Sequence, residues 1–395
     1  MIRLLLPTFI LAAAITPQCG SSSTTTPGST TSSVQNFQAI SVNAGPANNY
    51  FNGAFTTVTV CVPGQSSCQT IDGVLVDTGS SGLRVLASAL TLALPQQADT
   101  TGAPVVECLA FLDGFTWGPV QTADIKLGGE QASAVPLQVI GGPGAPAIPS
   151  ACSSNGAAEQ TLDALGANGI LGVGLFRQDC GSACVGVGSS NPGVYYACPA
   201  SGCKITAQSL VRQVQNPVWL FPVDNNGVVI QLPAVATGGA LTSTGMMVFG
   251  IGTQNDNPLG AAKVLTVDAN GNLSTTYGSQ TYAGSYLDSG SNGIFFLDTK
   301  TTGLPVCTDS NDFYCPLTLQ AQSATIRGVN GATSAVTFNV GNLDALNGRF
   351  TAFSEVAGPN PGSFAWGLSF FFGRTIYTAI EGQSTSGGVG PYFAF

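Results

Sequence analysis

Asp77-Thr78-Gly79-Ser80 and Asp288-Ser289-Gly290-Ser291, one in each half of the 395-residue chain, are the stretches that decide the fold. We call them the first and the second acidic loop. Each follows a short apolar run, Gly73–Val76 before the first and Ser285–Leu287 before the second. The glycine lets the backbone turn sharply, and the hydroxyl groups can bond the carboxylate or an opposing loop. The repeat predicts two related halves, each with a strand that ends in an aspartate.

Two such loops facing each other would bring two carboxyl groups together. Carboxylates about 3 Å apart cannot both be ionised, so they share one proton. Such a pair can activate a water molecule and protonate a leaving amine. A single loop of this sequence would more often be an ordinary turn, so the chemical signal is the presence of two.

The composition favours an all-β protein. Charged residues make up only 8% of the chain and hydrophobic residues 44%. The wet faces of helices usually carry Glu, Lys and Arg, whereas Val, Thr and Phe favour strands. A chain of this length exceeds what one core usually organises, so we expect two lobes. One amphipathic stretch, Ala207–Gln215, is predicted to be helical because Leu210, Val211 and Val214 would share a face.

Charge and histidine content exclude several functions. The formal net charge is -9 and Lys plus Arg number only 11, so the chain cannot build a surface that binds nucleic acid. Histidine is absent, which removes the usual base of serine and cysteine hydrolases and the usual ligand of catalytic zinc. None of the four lysines lies in a recognisable serine-lysine motif. Carboxylates remain as the main acid and base groups.

The N-terminus predicts export. Residues 1–19 combine an arginine, an apolar run and Cys19, which is the layout of an export signal and is too short for a membrane span. Residues 20–44 predict a Ser/Thr/Gly-rich flexible linker. Cys19 with this tether resembles a bacterial lipoprotein site, and simple cleavage is the alternative. We expect a periplasmic or cell-envelope lipoprotein, or a secreted protein, whose membrane contact would be a lipid on Cys19.

The cysteines predict disulfides. Eleven are present, and without Cys19 the number is even, which suits five disulfides in an oxidising compartment. Two pairs are close enough in sequence to staple hairpins: Cys61 with Cys68, and Cys307 with Cys315. Four others bracket a Gly/Ser/Asn-rich insertion and could pair as neighbours or nested: Cys180, Cys184, Cys198 and Cys203. A zinc site there is disfavoured, because the spacings are irregular and an exported chain oxidises free thiols.

Further motifs follow each acidic loop. Ile170-Leu171-Gly172 comes after the first and Ala365-Trp366-Gly367 after the second. Together with Asp77–Val85 and Leu287–Ser291, these motifs resemble the pepsin family of aspartic peptidases, in which two apolar residues and a glycine pass behind each active-site loop. The resemblance extends over about residues 45–395.

The resemblance implies an all-β, bilobal pepsin-like acid protease fold with few short helices. Its two β-barrel-like lobes would be residues 45–222 and 223–395, with the active-site cleft between them. Asp77 and Asp288 would be catalytic, one carboxylate deprotonating water while the other, protonated, polarises the scissile carbonyl. The neighbouring positions would support the loops (Thr78, Ser80, Ser289, Ser291) or contact substrate backbone (Gly79, Gly290, Phe111). The resemblance implies no metal or organic cofactor, a peptide or protein substrate, and a monomer.

Two positions depart from the family's pattern. The family covers its cleft with a flap whose tyrosine packs on a tryptophan after the first loop. Arg84 holds the tryptophan position, and Phe111, in a flap expected at about Leu109–Val120, lies nearest the tyrosine position. Both a rebuilt flap and a plain core role for Phe111 and Trp117 remain open.

Arg84 itself has two interpretations. Pointing inward, it would lower the pKa values of the aspartates or bind an acidic substrate group. A solvated strand residue is the preferred interpretation. The sequence therefore predicts an exported aspartic endopeptidase, and the alternative is a non-catalytic peptide-binding or inhibitor-like protein of the same fold.

Overall fold

The structure is a computed structural model that describes residues 35–142 and 144–395. Within them the secondary structure is mostly strand, with only four short α-helices, which confirms the all-β prediction. The strands β1 to β25 are, in chain order, Phe37–Asn43, Gly53–Cys61, Cys68–Asp77, Ser81–Leu86, Val105–Ala110, Gly114–Leu127, Glu130–Ile140, Ala157–Ala158, Gly169–Val173, Tyr195–Ala197, Lys204–Ile205, Gly227–Leu232, Ser243–Phe249, Val264–Thr266, Leu273–Tyr277, Gln280–Leu287, Ile294–Leu297, Gln320–Arg327, Thr333–Val340, Ala357–Gly358, Asn360–Trp366, Arg374–Ala379, Ser384–Thr385, Gly388–Val389 and Tyr392–Ala394. The helices α1 to α4 are Ser150–Ser153, Leu162–Leu165, Thr299–Thr302 and Leu368–Phe371. No helix in the described ranges has the length and apolarity needed to cross a membrane.

One large sheet connects the two halves of the chain. It contains 16 strands, and in it β1 pairs antiparallel with both β2 and β13. A second sheet of 7 strands comes entirely from the second half, in the order β19-β18-β15-β16-β21-β17-β20. Buried and exposed residues alternate along β19, which is typical of an antiparallel strand with one wet face. By contrast, β9, which lies between β4 and β3, is buried along its whole length, so both of its faces are covered.

The same three-strand unit occurs once in each half. In the first half, β3 runs parallel to β9 with Asp77 opposite Gly172, and β4 returns antiparallel to β9. In the second half, β16 runs parallel to β21 with Leu287 opposite Trp366, and β17 returns antiparallel to β21. Each acidic loop therefore crosses from one side of a middle strand to the other.

The glycine of each apolar-apolar-glycine motif lets the chain pass close behind its loop. A Cβ atom on Gly172 would lie 2.7 Å from the Ser81 nitrogen, and one on Gly367 would lie 2.6 Å from the Ser291 carbonyl oxygen. Real Cβ atoms do not approach backbone so closely, so no other residue fits without moving the loop.

Residues 37–43 form β1, although the sequence interpretation placed them in the 20–44 linker. Ile40 and Val42 are fully buried while their neighbours are not, so the segment has the period of two expected of a half-buried strand. Cys19, the export signal and the rest of the linker lie outside the described residues. The lobe limits at residues 45 and 222 stay predictions.

The helix predicted at Ala207–Gln215 is wrong. The structure has a single 3₁₀ turn there, Leu210–Arg212, and two of the three residues on the expected apolar face are exposed. Gln213 has extended backbone and is fully buried. Its side-chain amide donates to the carbonyl oxygens of Gly181 at 2.8 Å and Gln208 at 2.9 Å, so it ties the segment to neighbouring loops instead of to a helix.

The ten cysteines of the described ranges form five disulfides, which fits an exported protein. The pairs are Cys61–Cys68, Cys108–Cys152, Cys180–Cys184, Cys198–Cys203 and Cys307–Cys315. The two predicted hairpin staples are confirmed, and the four cysteines of the insertion pair as neighbours. The zinc alternative is therefore wrong, because none of these four sulfurs is a free thiolate.

We predict that the Cys108→Ala/Cys152→Ala variant loses about 4 kcal/mol of unfolding free energy, because this disulfide closes a 44-residue loop. The control Cys198→Ala/Cys203→Ala opens a separation of 5 residues and should lose about 2 kcal/mol. Guanidinium unfolding measures both values. Equal losses of unfolding free energy in the two variants would show that loop length does not determine how much each disulfide stabilises the protein.

Candidate active site

The two acidic loops meet, and Asp77 and Asp288 lie side by side; we call them the carboxyl pair. Their residues are only 6% and 8% exposed, and the two carboxyl groups are in hydrogen-bonding contact. The point where a Cβ on Gly290 would lie is 2.8 Å from Asp77 Oδ1 and 3.2 Å from Asp288 Oδ1. Both oxygens therefore border the same small space, and the hydrogen-bonding contact lets the two groups share a proton.

Thr78 and Ser289 join the loops by reciprocal hydrogen bonds. The Ser289 N–H donates to Thr78 Oγ1 at 3.0 Å, and the Thr78 N–H donates to Ser289 Oγ at 3.1 Å. Each hydroxyl then donates to a carbonyl oxygen of the opposing half, Thr78 to Leu287 at 3.4 Å and Ser289 to Val76 at 2.7 Å. Both residues are buried, so leaving any of these groups unpaired would cost about 1–3 kcal/mol. The bonds fix one aspartate relative to the other.

Gly79 and Gly290 each lie against the carboxyl group of the opposite loop. Their N–H groups donate to the aspartate of their own loop, Gly79 to Asp77 Oδ1 at 2.7 Å and Gly290 to Asp288 Oδ1 at 2.9 Å. A Cβ on Gly79 would lie 2.7 Å from Asp288 Oδ1, and one on Gly290 would lie 2.8 Å from Asp77 Oδ1. A side chain at either position would push the pair apart. Contact of these glycines with substrate backbone stays a prediction.

The two loop serines differ in the structure. Ser291 Oγ donates to Asp288 Oδ2 at 2.6 Å. The equivalent Ser80 Oγ is buried and makes no hydrogen bond of normal geometry, although it lies near enough to Asp77 to favour the charged form of that carboxyl group. The two carboxyl groups therefore differ in the hydrogen bond that they accept from a loop serine.

Burial raises the pKa of Asp77 from 3.8 to about 8, and the charge and hydrogen bond of Asp288 act in the same direction. The Ser80 hydroxyl and the Gly79 N–H act in the opposite direction. At neutral pH the pair thus holds one proton between two carboxyl groups, and that proton belongs to the pair. One acid beside one base is the arrangement that general acid–base chemistry requires.

Two tyrosines that the sequence analysis did not assign to the site lie near the pair. Burial, with added effects of nearby carboxyl groups that include Asp77 and Asp288, raises the pKa of Tyr50 well above its usual range and that of Tyr286 to about 12. Both phenols therefore stay protonated well above neutral pH. Tyr286 could have been suspected from its place two residues before Asp288, whereas only the fold brings Tyr50 here.

The hairpin of β5 and β6 occupies the segment expected to be the flap. Its turn is closed by a hydrogen bond from the Phe111 N–H to the Gly114 carbonyl oxygen at 2.8 Å, and Phe111 packs half-buried on an apolar cluster. Trp117 is fully buried, lies edge-on to Tyr196 at 5.2 Å and donates from Nε1 to the Pro146 carbonyl oxygen. Trp117 is a core residue. Contact of Phe111 with substrate stays a prediction.

Arg84 is fully buried, so its interpretation as a solvated strand residue is wrong. Its Nη2 donates to Glu107 Oε1 at 2.6 Å and to Asp179 Oδ2 at 3.2 Å, and its Nη1 donates to the Ser81 carbonyl oxygen at 3.0 Å. The Tyr195 hydroxyl donates to the other oxygen of Asp179 at 2.7 Å. The guanidinium group therefore joins the strand after the first acidic loop to Glu107 in the β5–β6 hairpin.

One cation faces two carboxyl groups in this buried cluster. Burial first, and then the charge and hydrogen bond of Glu107, raise the pKa of Asp179 well above its usual range. Burial of two carboxyl groups beside one cation thus favours the protonated form of Asp179. The sequence could not show this, because Arg84 finds its partners through the fold.

We predict that Arg84→Met lowers the unfolding free energy by about 3–5 kcal/mol at neutral pH, because it leaves two buried carboxyl groups without their cation. At pH 4 the loss should be smaller, because the buried cluster can then take up protons in place of the missing cation. Urea unfolding of the variant and of the exposed-site control Arg349→Met measures this; the control should stay within about 0.5 kcal/mol of wild type. A loss that does not depend on pH would contradict the assignment.

The pKa of Asp77 predicts a pH-dependent stability. The folded state keeps a proton that the unfolded state releases above pH 3.8, so this group's contribution is full below pH 3.8 and falls as the pH rises to about 8. Asp77→Asn cannot ionise and should be more stable than wild type above pH 8, by on the order of a few kcal/mol, and similar to it near pH 4. Urea unfolding from pH 4 to 9, with exposed Asp309→Asn as control, tests this. Parallel curves for Asp77→Asn and wild type would contradict the shared proton.

Comparison with known proteins adds the fold and the family. The chain is similar to the crystal structure of an aspartic proteinase from Irpex lacteus, with a TM-score of 0.50 and 16% identity over 91% of this chain and 96% of that one. This likeness confirms the predicted bilobal pepsin-like fold. The search of curated proteins found no match. The family described as Protein of unknown function (DUF3443) matches residues 32–395, and the chain therefore belongs to that family.

Proposed function

We propose that the protein is an exported aspartic endopeptidase that cleaves peptide bonds through Asp77 and Asp288. The observation that carries this proposal is the buried carboxyl pair, in which burial and Asp288 raise the pKa of Asp77 and which the crossed bonds of Thr78 and Ser289 fix in place. A chain that needed these loops only as turns would have no reason to hold two carboxyl groups in contact, because their desolvation is costly.

In the proposed reaction, a water molecule binds between the two carboxyl groups. The ionised carboxylate takes a proton from the water, whose oxygen attacks the scissile carbonyl carbon, while the protonated carboxyl group gives its proton to the carbonyl oxygen. The tetrahedral diol then collapses as one hydroxyl proton returns to a carboxylate and the amine leaves with the proton it receives from the other carboxyl group. The pair ends with one proton, as it began.

The substrate is an extended peptide or protein segment, which lies across the cleft as an added strand. Phe111 at the flap turn provides an apolar contact for it. The five disulfides support a location outside the cytoplasm. We further propose that a lipid on Cys19 is the membrane contact, and that the protein acts as a monomer.

The second candidate function is peptide binding without cleavage. Two observations favour it. Phe111 at the turn of the β5–β6 hairpin has no hydroxyl group to offer a substrate. Both aspartates are nearly closed off from solvent, with 6% and 8% of their surface exposed. A protein that only binds peptides would keep the cleft and would tolerate loss of either carboxyl group.

We predict that the protein cleaves a peptide library, and that Asp77→Asn and Asp288→Asn each lower kcat/KM by at least 10²- to 10⁴-fold, the range for loss of an acid–base group. Activity should extend from acid to neutral pH and decline above about pH 8, as the pair loses its shared proton. The exposed-site variant Asp309→Asn is the control and should keep full activity. A statine-type inhibitor should block cleavage by the wild-type protein.

Cleavage that survives either substitution would end the proposal. If no pH gives cleavage and the folded protein still binds peptides, with Asp77→Asn and Asp288→Asn binding equally well, the second candidate is correct.

A further inference from the structure

Asn52 lies in the first half of the chain, and its side chain is enclosed by the second half. It is fully buried and follows Tyr50 and Phe51 just before β2. Its side-chain amide nitrogen has three acceptors: the carbonyl oxygens of Asn292 at 2.7 Å and Phe353 at 2.8 Å, and Ser369 Oγ at 3.1 Å. Its side-chain oxygen accepts from the Phe353 N–H at 2.7 Å, and its own N–H donates to the Thr351 carbonyl oxygen at 2.7 Å.

Two of these partners, Asn292 and Ser369, lie next to the second acidic loop. Asn292 directly follows Ser291, the last residue of that loop. Ser369 lies in α4, directly behind the loop, where the Leu368 N–H donates to the Ser291 carbonyl oxygen at 2.7 Å. Asn52 therefore holds the end of the loop and the segment behind it with one side chain.

The backbone of Asn52 is in an unusual conformation. Its φ angle is 51°, in the left-handed region that asparagine tolerates better than most residues. The Phe51 ring next to it packs against Phe313 and Phe353 at 5.7 and 6.4 Å. A strained residue with a buried amide persists only where the surrounding bonds hold it in place, and here those bonds come from the other half of the chain.

We propose that Asn52 is a positioning residue, which holds the second acidic loop from behind so that Asp288 stays in contact with Asp77. The crossed bonds of Thr78 and Ser289 join the two loops to each other, and Asn52 bonds the residue after the second loop and the helix behind it. This inference rests on the proposed function for its effect on catalysis. Without Asn52 the second loop can shift, the carboxyl pair separates, and the shared proton is lost.

The test compares Asn52→Gly with Asn226→Gly. Glycine accepts the φ angle of residue 52, so the change removes the side-chain bonds without adding backbone strain. Asn226 is a matched control: it is 5% exposed, donates to the carbonyl oxygens of Ile251 and Ser384, and accepts from the Ile251 N–H at 2.7 Å. None of those partners belongs to an acidic loop.

Both variants should lose similar stability, but only Asn52→Gly should lower kcat, by about 10- to 100-fold with little change in KM, as expected when reacting groups are misplaced. The alkaline limb of its pH profile should also move to lower pH, because a separated pair binds its proton less tightly. Ser369→Ala removes one partner of Asn52 and should lower kcat in the same direction by a smaller factor. This variant replaces Asn52→Gly in the test if Asn52→Gly does not fold.

A second readout separates this inference from the proposed function. NMR titration of ¹³C-labelled aspartate carboxyl groups, assigned with Asp77→Asn, follows the pair whether or not the protein cleaves peptides. The midpoint near pH 8 should fall by about one unit or more in Asn52→Gly and stay unchanged in Asn226→Gly. A folded Asn52→Gly with the kcat and titration of the control would overturn the inference, even if the protein is a peptidase.

Discussion

The crossed hydrogen bonds between Thr78 and Ser289 are the interaction on which the centre of the molecule depends. Each hydroxyl accepts from the opposing backbone and donates to the opposing strand, so neither loop can move alone. Because each residue directly follows an aspartate, these bonds set the separation of the two carboxyl groups. That separation, together with burial, raises the pKa of Asp77 and lets the pair hold a proton at neutral pH.

The protein has few charged side chains, yet the described residues include a buried acidic cluster at Asp77 and Asp288 and another at Glu107 and Asp179. In both, two carboxyl groups share a site, and burial raises the pKa of one of them, Asp77 in the carboxyl pair and Asp179 beside Arg84. The two clusters are connected, because Arg84 donates to the carbonyl oxygen of Ser81, the residue that follows the first acidic loop. The β5–β6 hairpin and the first acidic loop thus belong to one network of hydrogen bonds through Arg84.

Features that depend on a few consecutive residues could be predicted from the sequence. Features that depend on contacts between distant residues could not. The two acidic loops are short patterns that the sequence shows directly, and the resemblance to a family pointed to the apolar-apolar-glycine motifs. The structure gives the reason for their glycines, because backbone passes each loop too closely for a side chain. The burial of Arg84 depends on Glu107 and Asp179, which no local pattern links to it. The helix predicted at 207–215 was wrong because the prediction relied on the spacing of apolar residues. It did not consider Gln213, whose side-chain amide donates to carbonyl oxygens of neighbouring loops.

The pairing of β1 with β13 makes folding of the first half depend on the second. Phe37–Val42 can complete their hydrogen bonds only with Ser243–Val248, more than half the chain away. Contacts of such long range form slowly, and a strand edge that waits for its partner is open to aggregation. During synthesis, the sheet cannot close until β13 has left the ribosome. That delay leaves the edge of β1 unpaired until the second half of the chain has been made.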